Sequence, residues 1–428
     1  MRFKYGNFLI FACFFLYTIS MAAKGVFIAE QKYLVDLWNL EYATASMSNT
    51  FYFVTYGLVQ VVLSFVMSKI NVRKYMLWTV PFAGITTALI GLATNIYQIW
   101  IYFGFSGAFQ ASIYCGCFYM MTKYLPSKLL SKANTIMNMG YAIGSVMAYG
   151  TCAIFIGINA WQVPYFIYGV LFLIAVLLFG ISVYKARRFT KINSRFDELE
   201  LKQVQTNDPK STTQSAPLFL LNTTKKRVLF YAIALFFAFF ATSLYYAIMN
   251  YITSLLVDVH KMSQDVSVYV SIIAPIAITL GPILTIKSCD KRKDFIKVGL
   301  VYSLIILPIP ALLALFYNAN LILALALSVI FIVVVNGVKT VGLSVVGLDL
   351  RKQINTGSYI AIGNAIASIS AGVTPTIIGQ IIDTSGWAAA YWVVFGVISV
   401  IIVALIVVDT IVRKRYRINN GLDKKVKI

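Results

Sequence analysis

Acidic side chains are scarce in this sequence, and charged residues of any kind are few. Of 428 residues, 36 are Lys or Arg, 15 are Asp or Glu and one is His, and charged residues make up 12% of the chain. A soluble domain typically carries about 25%. Hydrophobic residues make up 60%, and many stand in runs of at least about 18 residues, the length that crosses a bilayer as a helix. The sequence therefore predicts an all-α membrane protein.

The five cysteines and the single histidine form none of the patterns that hold a metal or a disulfide framework. The sequence contains no C-x-x-C motif and no Cys/His cluster. Cysteines scattered through apolar runs are typical of small buried side chains. No nucleophile–base pair or phosphate-cradling loop is present either. We therefore expect no cofactor, no metal and no enzymatic activity.

Twelve apolar blocks fit transmembrane helices. They run over residues 6–29, 45–67, 75–95, 98–122, 133–157, 162–184, 228–257, 266–287, 295–317, 320–347, 356–382 and 387–411. A polar segment of mixed charge separates the first six from the last six. The predicted organisation is an N-terminal six-helix bundle over 1–185, a cytosolic linker over 186–227, a C-terminal six-helix bundle over 228–412 and a basic cytosolic tail over 413–428.

The basic residues collect on one side of the membrane in this arrangement. With both termini in the cytosol, 32 of the 36 Lys and Arg residues lie in cytosolic segments, and Lys32 and Lys261 lie in outer loops. This asymmetry follows the positive-inside rule, and it explains the net charge of +21 without a nucleic-acid partner. It predicts a multi-pass protein of the cell membrane. Only Lys24 and Lys339 stand inside predicted spans.

The two halves share a spacing that indicates an internal repeat. Asn138 precedes Trp161 by 23 residues, and Asn364 precedes Trp387 by the same 23. Such a repeat, in two sets of six spans, is typical of transporters built from two related bundles.

With this organisation the chain resembles the major facilitator superfamily. The cytosolic gate motif of that family, G-x-x-x-D-R-x-G-R-R, follows its second span, and the stretch 64–74 occupies that place here, with Ser68 where the family has aspartate. The matching place in the second half keeps its acid, Asp290. The resemblance implies twelve helices in two pseudo-symmetric six-helix bundles. It also implies a gate formed by Ser68, Lys69, Arg73, Asp290 and Lys291.

Within the superfamily, the chain looks most like the organophosphate:phosphate antiporters, which exchange glycerol- or hexose-phosphates for inorganic phosphate. The similarity lies in four short stretches: YGLVQVVLSFVMSK at 56–69, NMGYAIG at 138–144, YYAIMNYITSLL at 245–256 and DTSGW at 383–387. It implies a basic pair in the first helix, whose second place Lys24 holds. Tyr245 and Met137 stand where that branch has an arginine and a histidine, so two of its three phosphate-reading groups are replaced.

Lys24 and Lys339 are the candidate substrate anchors. A charge within the hydrocarbon costs at least a few kcal/mol, so it usually faces a bundle interior or a polar path. The alternatives are that the lysines snorkel to the interface and that Lys339 pairs with Asp349. All 15 acids are expected in loops or at span ends, which makes the buried field positive and attractive to anions. Because proton-driven transporters usually relay protons through buried acids or histidines, exchange or uniport is favoured over proton symport.

Neutral polar residues complete the predicted site. Helical spacing places Tyr17 near Lys24 and Asn336 near Lys339, and the repeat places Tyr245, Tyr246 and Asn250 opposite Lys24. The full predicted set is Lys24, Lys339, Tyr245, Tyr246, Asn250, Tyr17, Asn138 and Asn336. For each neutral residue the alternative is a hydrogen bond that packs helices together.

The predicted function is that of a secondary transporter. Its substrate would be a small organic anion, a phosphate ester or a carboxylate, and it would act as a monomer in the lipid bilayer. The alternatives are a transporter of a neutral solute, such as a sugar, nucleoside or peptide, and a transport-like membrane sensor.

Overall fold

A computed structural model of the chain describes residues 2–67, 69–125, 127–204, 225–292, 295–340 and 356–419. These residues fold almost entirely into α-helices. The first half contains α1 (Arg2–Trp38), α2 (Tyr42–Val66), α3 (Val72–Ile90), α4 (Ile96–Tyr124), α5 (Ser127–Ile156) and α6 (Val163–Val204). The second half contains α7 (Lys225–Met249), α8 (Ile252–Asp258), α9 (Gln264–Ser271), α10 (Ile273–Ala277), α11 (Leu280–Arg292), α12 (Phe295–Ile306), α13 (Pro308–Phe316), α14 (Leu321–Thr340) and α15 (Thr356–Asn419).

The helices coincide with the predicted spans. Nine stretches of the described chain are long and apolar enough to cross a membrane. One of them, Ile362–Val407, covers most of the last two predicted spans, and α3 and α4, which are not among the nine, match the third and fourth. Apolar side chains such as Trp78 and Ile322 are 71% and 76% exposed, as lipid-facing residues should be. The predicted all-α membrane class is confirmed.

The first helix is longer than the sequence predicted. It ends at Trp38 rather than at residue 29, so Glu30 and Lys32, which were assigned to the outer loop, are helical and buried. The prediction that every acid lies in a loop or at a span end was therefore wrong for Glu30. Lys32 forms ion pairs of 2.6 Å with Asp36 and Asp258. These ion pairs neutralise the charge of Lys32 inside the protein. The helix therefore continues past residue 29, where the sequence prediction ended it because charged residues follow.

The sixth helix also continues past its predicted end. α6 runs to Val204, so the first part of the predicted cytosolic linker extends this helix. The 42 residues of α6 exceed the roughly 20 residues that cross a bilayer. Its polar C-terminal portion therefore projects beyond the apolar portion.

Two helices of the second half are interrupted at places that bear on the candidate site. The long helical run α15 is interrupted at Gly386, whose φ of 82° suits glycine because other residues meet a steric penalty there. The break lies in the turn predicted at 383–387. The seventh predicted span is also interrupted, because α7 ends at Met249 and α8 begins at Ile252. Asn250 thus lies at a discontinuity of the helix, where transporters often place their binding groups.

Each half packs around its own core, and the halves meet along α2 and α15. In the first half α1 packs against α5 and α6; in the second, α7 packs against α14 and α15. Gly144 on α5 allows a close approach to α1, because a Cβ atom there would meet the carbonyl oxygen of Thr18 at 2.4 Å and Cβ of Met21 at 2.9 Å. This contact fixes the position of α1 beside the helix that carries Tyr141.

Candidate functional site

Lys24 is buried between the two halves rather than extended to an interface. The residue is 8% exposed, and its Nζ atom lies 5.4 Å from the ring centroid of Phe53 and 5.2 Å from that of Tyr141. Rings at this distance attract a cation through their quadrupole. Among the described residues no carboxylate forms an ion pair with Lys24. The aromatic rings therefore compensate the charge of Lys24 in part, but no acidic group among the described residues neutralises it.

Lys339 approaches the same place from α14. Its Nζ atom lies 5.7 Å from the ring centroid of Tyr245. The hydroxyl groups of Tyr141 and Tyr245 are 3.1 Å apart and share a hydrogen bond. One lysine from each half thus meets across a tyrosine pair. Asp349, the alternative partner of Lys339, lies outside the described residues.

Aromatic rings line the rest of this centre, and Lys24, Lys339, Tyr141, Tyr245, Tyr246 and Phe53 are called the lysine pocket below. Tyr246 packs edge-on against Tyr245 at 4.8 Å and against Phe53 at 5.1 Å. Four of the predicted residues, Lys24, Lys339, Tyr245 and Tyr246, therefore come together. Phe53 and Tyr141 were missed. Tyr141 belongs to the stretch NMGYAIG that carried the family resemblance, so its position in that motif was the available signal.

The other predicted site residues have different surroundings. The ring of Tyr17 packs at a tilt against that of Tyr114, with 5.3 Å between their centroids, two helical turns from Lys24 toward the N-terminus. The Asn336 amide donates to the carbonyl of Ile278 at 3.1 Å, which matches the helix-packing alternative. Asn250 is 1% exposed and its side chain has no hydrogen-bond partner in the described structure. The side chain of Asn138 lies outside the described part of the structure.

The predicted gate residues do not join the two halves where the structure describes them. Lys69 is exposed. The guanidinium of Arg73 lies 5.9 Å from the ring of Tyr184, which belongs to the same half. Ser68 lies outside the described residues, as do the side chains of Asp290 and Lys291.

A polar cluster at the other end of the molecule does join the halves. At the end of the helices opposite both chain termini, here called the distal end, Lys32 bridges Asp36 and Asp258 with 2.6 Å contacts to each. The Tyr42 hydroxyl donates to Asp258, and the amide of Gln264 donates to Asp36 at 2.7 Å. The i, i+4 spacing of Lys32 and Asp36 was a usable sequence signal; Asp258 was not, because it is remote in the chain.

Asp383 ties α2 to the second half at the same end. Its two carboxylate oxygens accept hydrogen bonds from the backbone N–H groups of Tyr42 at 3.0 Å and Ala43 at 2.9 Å. These are the first N–H groups of α2, which lack partners within the helix, and an anion there is also favoured by the helix dipole. The N-cap residue, Glu41, makes no such bond. We call Lys32, Asp36, Tyr42, Asp258 and Asp383 the distal latch.

Glu30 is the buried acid that the sequence did not predict. It is 0% exposed and lies beside Cys152 on α5 and Tyr165 on α6. It therefore faces the interior of the first half, on a different side of α1 from Lys24. Within the described residues it forms no ion pair.

The sequence and the fold are both similar to those of known transporters. The sequence matches the Major Facilitator Superfamily over residues 8–354, and no curated protein matches it. A bacterial homolog to the human lysosomal transporter Spinster, in an inward-facing and occupied conformation, has a similar fold: TM-score 0.67, 15% identity, 94% of each chain covered. The nucleoside transporter NupG is also similar, with TM-score 0.67, 15% identity, and 93% of this chain and 98% of that chain covered.

Proposed function

Because the chain belongs to the major facilitator superfamily and is a membrane transporter rather than an enzyme, we propose that it moves a small organic anion by alternating access. The two halves rock about the lysine pocket, which opens to each side in turn. The organophosphate:phosphate antiporter branch remains our proposal for the nearest relatives. The protein acts as a monomer in the cell membrane and uses no cofactor.

The carrying observation is the meeting of Lys24 and Lys339 without a carboxylate partner among the described residues. Burying an uncompensated charge such as that of Lys24 is costly, and a second, half-buried cation across the tyrosine pair adds to that cost. A bound anion removes both costs at once. The pocket therefore favours anions over neutral solutes and over cations.

Both a phosphate ester and a carboxylate suit this pocket. Tyr245 stands where the antiporter branch has an arginine, and Lys339 on α14 lies against its ring. The second cation is thus present but comes from a different helix. A lysine acts as a point charge without the two-pronged geometry that an arginine offers to phosphate, so the site accepts carboxylates as well.

Exchange or uniport is the proposed mode of transport. Glu30 is a buried acid, but it lies beside Cys152 and Tyr165, inside the first half, and forms no ion pair with either pocket lysine. An outgoing anion resets a cationic site without a proton relay.

Uptake by protein reconstituted in liposomes tests the proposal. Glycerol 3-phosphate, gluconate and inorganic phosphate are offered outside vesicles loaded with the same anions. Lys24→Ala should lower the uptake of every transported anion by at least about tenfold, which corresponds to about 1.4 kcal/mol. Lys123→Ala, which removes an exposed lysine outside the gate motif, is the control. Normal uptake by Lys24→Ala sinks the assignment.

A neutral substrate is the second candidate. The observation in its favour is that aromatic rings contact both ammonium groups, which partly compensates the charges without any ligand. It predicts that uridine or glucose enters the vesicles, and that uptake survives Lys24→Met combined with Lys339→Met. A sensor, the third candidate, would bind its ligand and show no flux at all.

A further inference from the structure

Two buried asparagines next to the lysine pocket have polar side chains that bind nothing. Asn49 on α2 is 0% exposed, and Asn250, between α7 and α8, is 1% exposed. In both, the amide nitrogen and the amide oxygen lack a hydrogen-bond partner among the described residues. Buried polar groups without partners are rare in folded proteins, so a pair of them calls for a functional explanation.

The helix register places these two asparagines at the same level along the helix axes, between the lysine pocket and the distal end. Phe53 of α2 contacts Tyr246 of α7, with 5.1 Å between ring centroids. Asn49 lies one turn before Phe53, and Asn250 lies four residues after Tyr246. Because α2 runs away from the distal end and α7 runs toward it, both steps lead in the same direction. Asn49 and Asn250 therefore lie one helical turn beyond the lysine pocket, toward the distal end.

A hydrogen-bonded layer lies on the distal side of the asparagines. The Gln31 amide donates to the Ser46 hydroxyl at 2.8 Å, and Ser46 shares a 2.7 Å hydrogen bond with Tyr251. Tyr251 in turn donates to the carbonyl of Pro375. These residues come from α1, α2, the α7–α8 break and α15. The asparagines therefore lie between this layer and the lysine pocket along the helices.

The chemistry of the carboxamide defines what fits there. Each asparagine offers two N–H donors and one carbonyl acceptor, and it carries no charge. A hydroxyl or amide group can both accept from one asparagine and donate to the other. A methylene group can do neither and would leave all four polar atoms unpaired. The separation from the lysine pocket is about one helical turn, or about 5 Å.

We propose that Asn49 and Asn250 form a second subsite that binds an uncharged hydroxyl or amide group of the substrate. The substrate class is then an organic anion bearing such a group about one helical turn from its charge. Simple alkyl carboxylates and bare inorganic anions lack it. The inference rests on the proposed function, because the lysine pocket fixes the anionic end.

Matched pairs of anions test this subsite with the purified full-length protein. Gluconate is compared with hexanoate, and glycerol 3-phosphate with propyl phosphate, by the rise in thermal unfolding temperature at increasing concentration. The hydroxylated member of a pair should bind at least about tenfold more tightly, since a site built to bond a hydroxyl rejects the analogue without it. Asn49→Leu and Asn250→Leu should each abolish that preference.

A second measurement separates loss of binding from loss of folding. Without ligand, Asn49→Leu should unfold at the same temperature as the wild type or higher, because it removes an unpaired polar group. Gln110→Leu is the contrast: Gln110 bonds Ser20, Tyr52 and Ser106, so its loss should lower the unfolding temperature. A fall for Asn49→Leu as large as that for Gln110→Leu contradicts an unpaired asparagine.

The outcomes distinguish the subsite from the proposed function. Equal binding of both members of each pair overturns the subsite and leaves the anion site standing. Unfolding temperatures raised by uridine or glucose, and by no anion, overturn the proposed function itself. Loss of the hydroxyl preference in Lys24→Ala, with Asn49→Leu unaffected, also contradicts the subsite.

Discussion

At the scale of single residues, the lysine pocket is defined by contacts between side chains from different helices. The packing of α1, α2 and α5 places Lys24 beside Phe53 and Tyr141. A single α-helix cannot create such a site, because residues that share its face are separated by whole turns. The sequence predicted Lys24, Lys339 and the two tyrosines of α7 as members of the site, but it did not predict Phe53 or Tyr141.

The hydroxyl bond between Tyr141 and Tyr245 gives the first residue-scale prediction. Tyr141→Phe removes that 3.1 Å bond and keeps the ring that faces Lys24. A hydrogen bond contributes about 0.5–1.5 kcal/mol, so the KM for the transported anion should rise by about two- to tenfold. Tyr168→Phe is the control, because it removes a bond of the same length to Thr151 inside the first half. Equal KM values for the two variants contradict a role of this tyrosine pair in the site.

Glu30 gives the second residue-scale prediction, which concerns the mode of transport. If transport is exchange or uniport, an inward proton gradient should not accelerate uptake by the wild type. Glu30→Gln keeps the side-chain shape and removes the acid, so its uptake should match the wild type at each pH. Uptake in liposomes is measured with and without the gradient. Gradient-driven uptake that disappears in Glu30→Gln would identify Glu30 as a proton carrier and refute the proposed mode.

At the scale of helices, the close contact between α1 and α5 sets the stability of the site. Gly144→Ala should lower the free energy of unfolding by about 1–3 kcal/mol, the usual cost of overpacking, because its Cβ has no room beside Thr18 and Met21. Gly150→Ala on the same helix is the matched control, since nothing lies within 4 Å of a Cβ there. Thermal unfolding in detergent compares them. Identical unfolding temperatures for the two variants contradict the tight α1–α5 contact.

The helices themselves were largely predictable, and their ends less so. Apolar run length predicted helices that the described part of the chain contains, because a bilayer requires about 20 apolar residues in a helix. The end of α1 was missed because Lys32 is neutralised by Asp258, over 200 residues away in the chain. The turn at Gly386 was predicted from its local motif, whereas the break at Asn250 has no proline or glycine to mark it. The end of α1 therefore depends on a long-range ion pair, which local sequence patterns do not reveal.

At the scale of the whole molecule, the distal latch joins the two halves at the distal end. Lys32 and Asp36 belong to the first half, and Asp258 and Asp383 to the second. Alternating access requires these contacts to break when the distal end opens. The gate motif that sequence resemblance indicated lies at the opposite end, and its role as a gate stays a prediction.

Weakening the latch should open the distal end. Asp258→Asn removes the ion pair with Lys32 across the halves. Ser46, which is 0% exposed and lies behind the latch, is replaced by cysteine in a background without native cysteines. A membrane-impermeant maleimide added on the distal side should label it several times faster in Asp258→Asn. Glu41→Gln, which changes an exposed acid without a capping bond, is the control, and equal labelling in both contradicts the latch.

The central claim is that Lys24 and Lys339 together bind an anion. Its most direct test is the thermal unfolding temperature of the purified protein across a panel of phosphate esters, carboxylates, sugars and nucleosides, because a ligand that binds the folded state raises that temperature. The account predicts that anions raise it in the wild type and in Lys69→Met, and that Lys24→Met combined with Lys339→Met abolishes the rise. A rise caused by neutral compounds alone, and retained in the double variant, would contradict it.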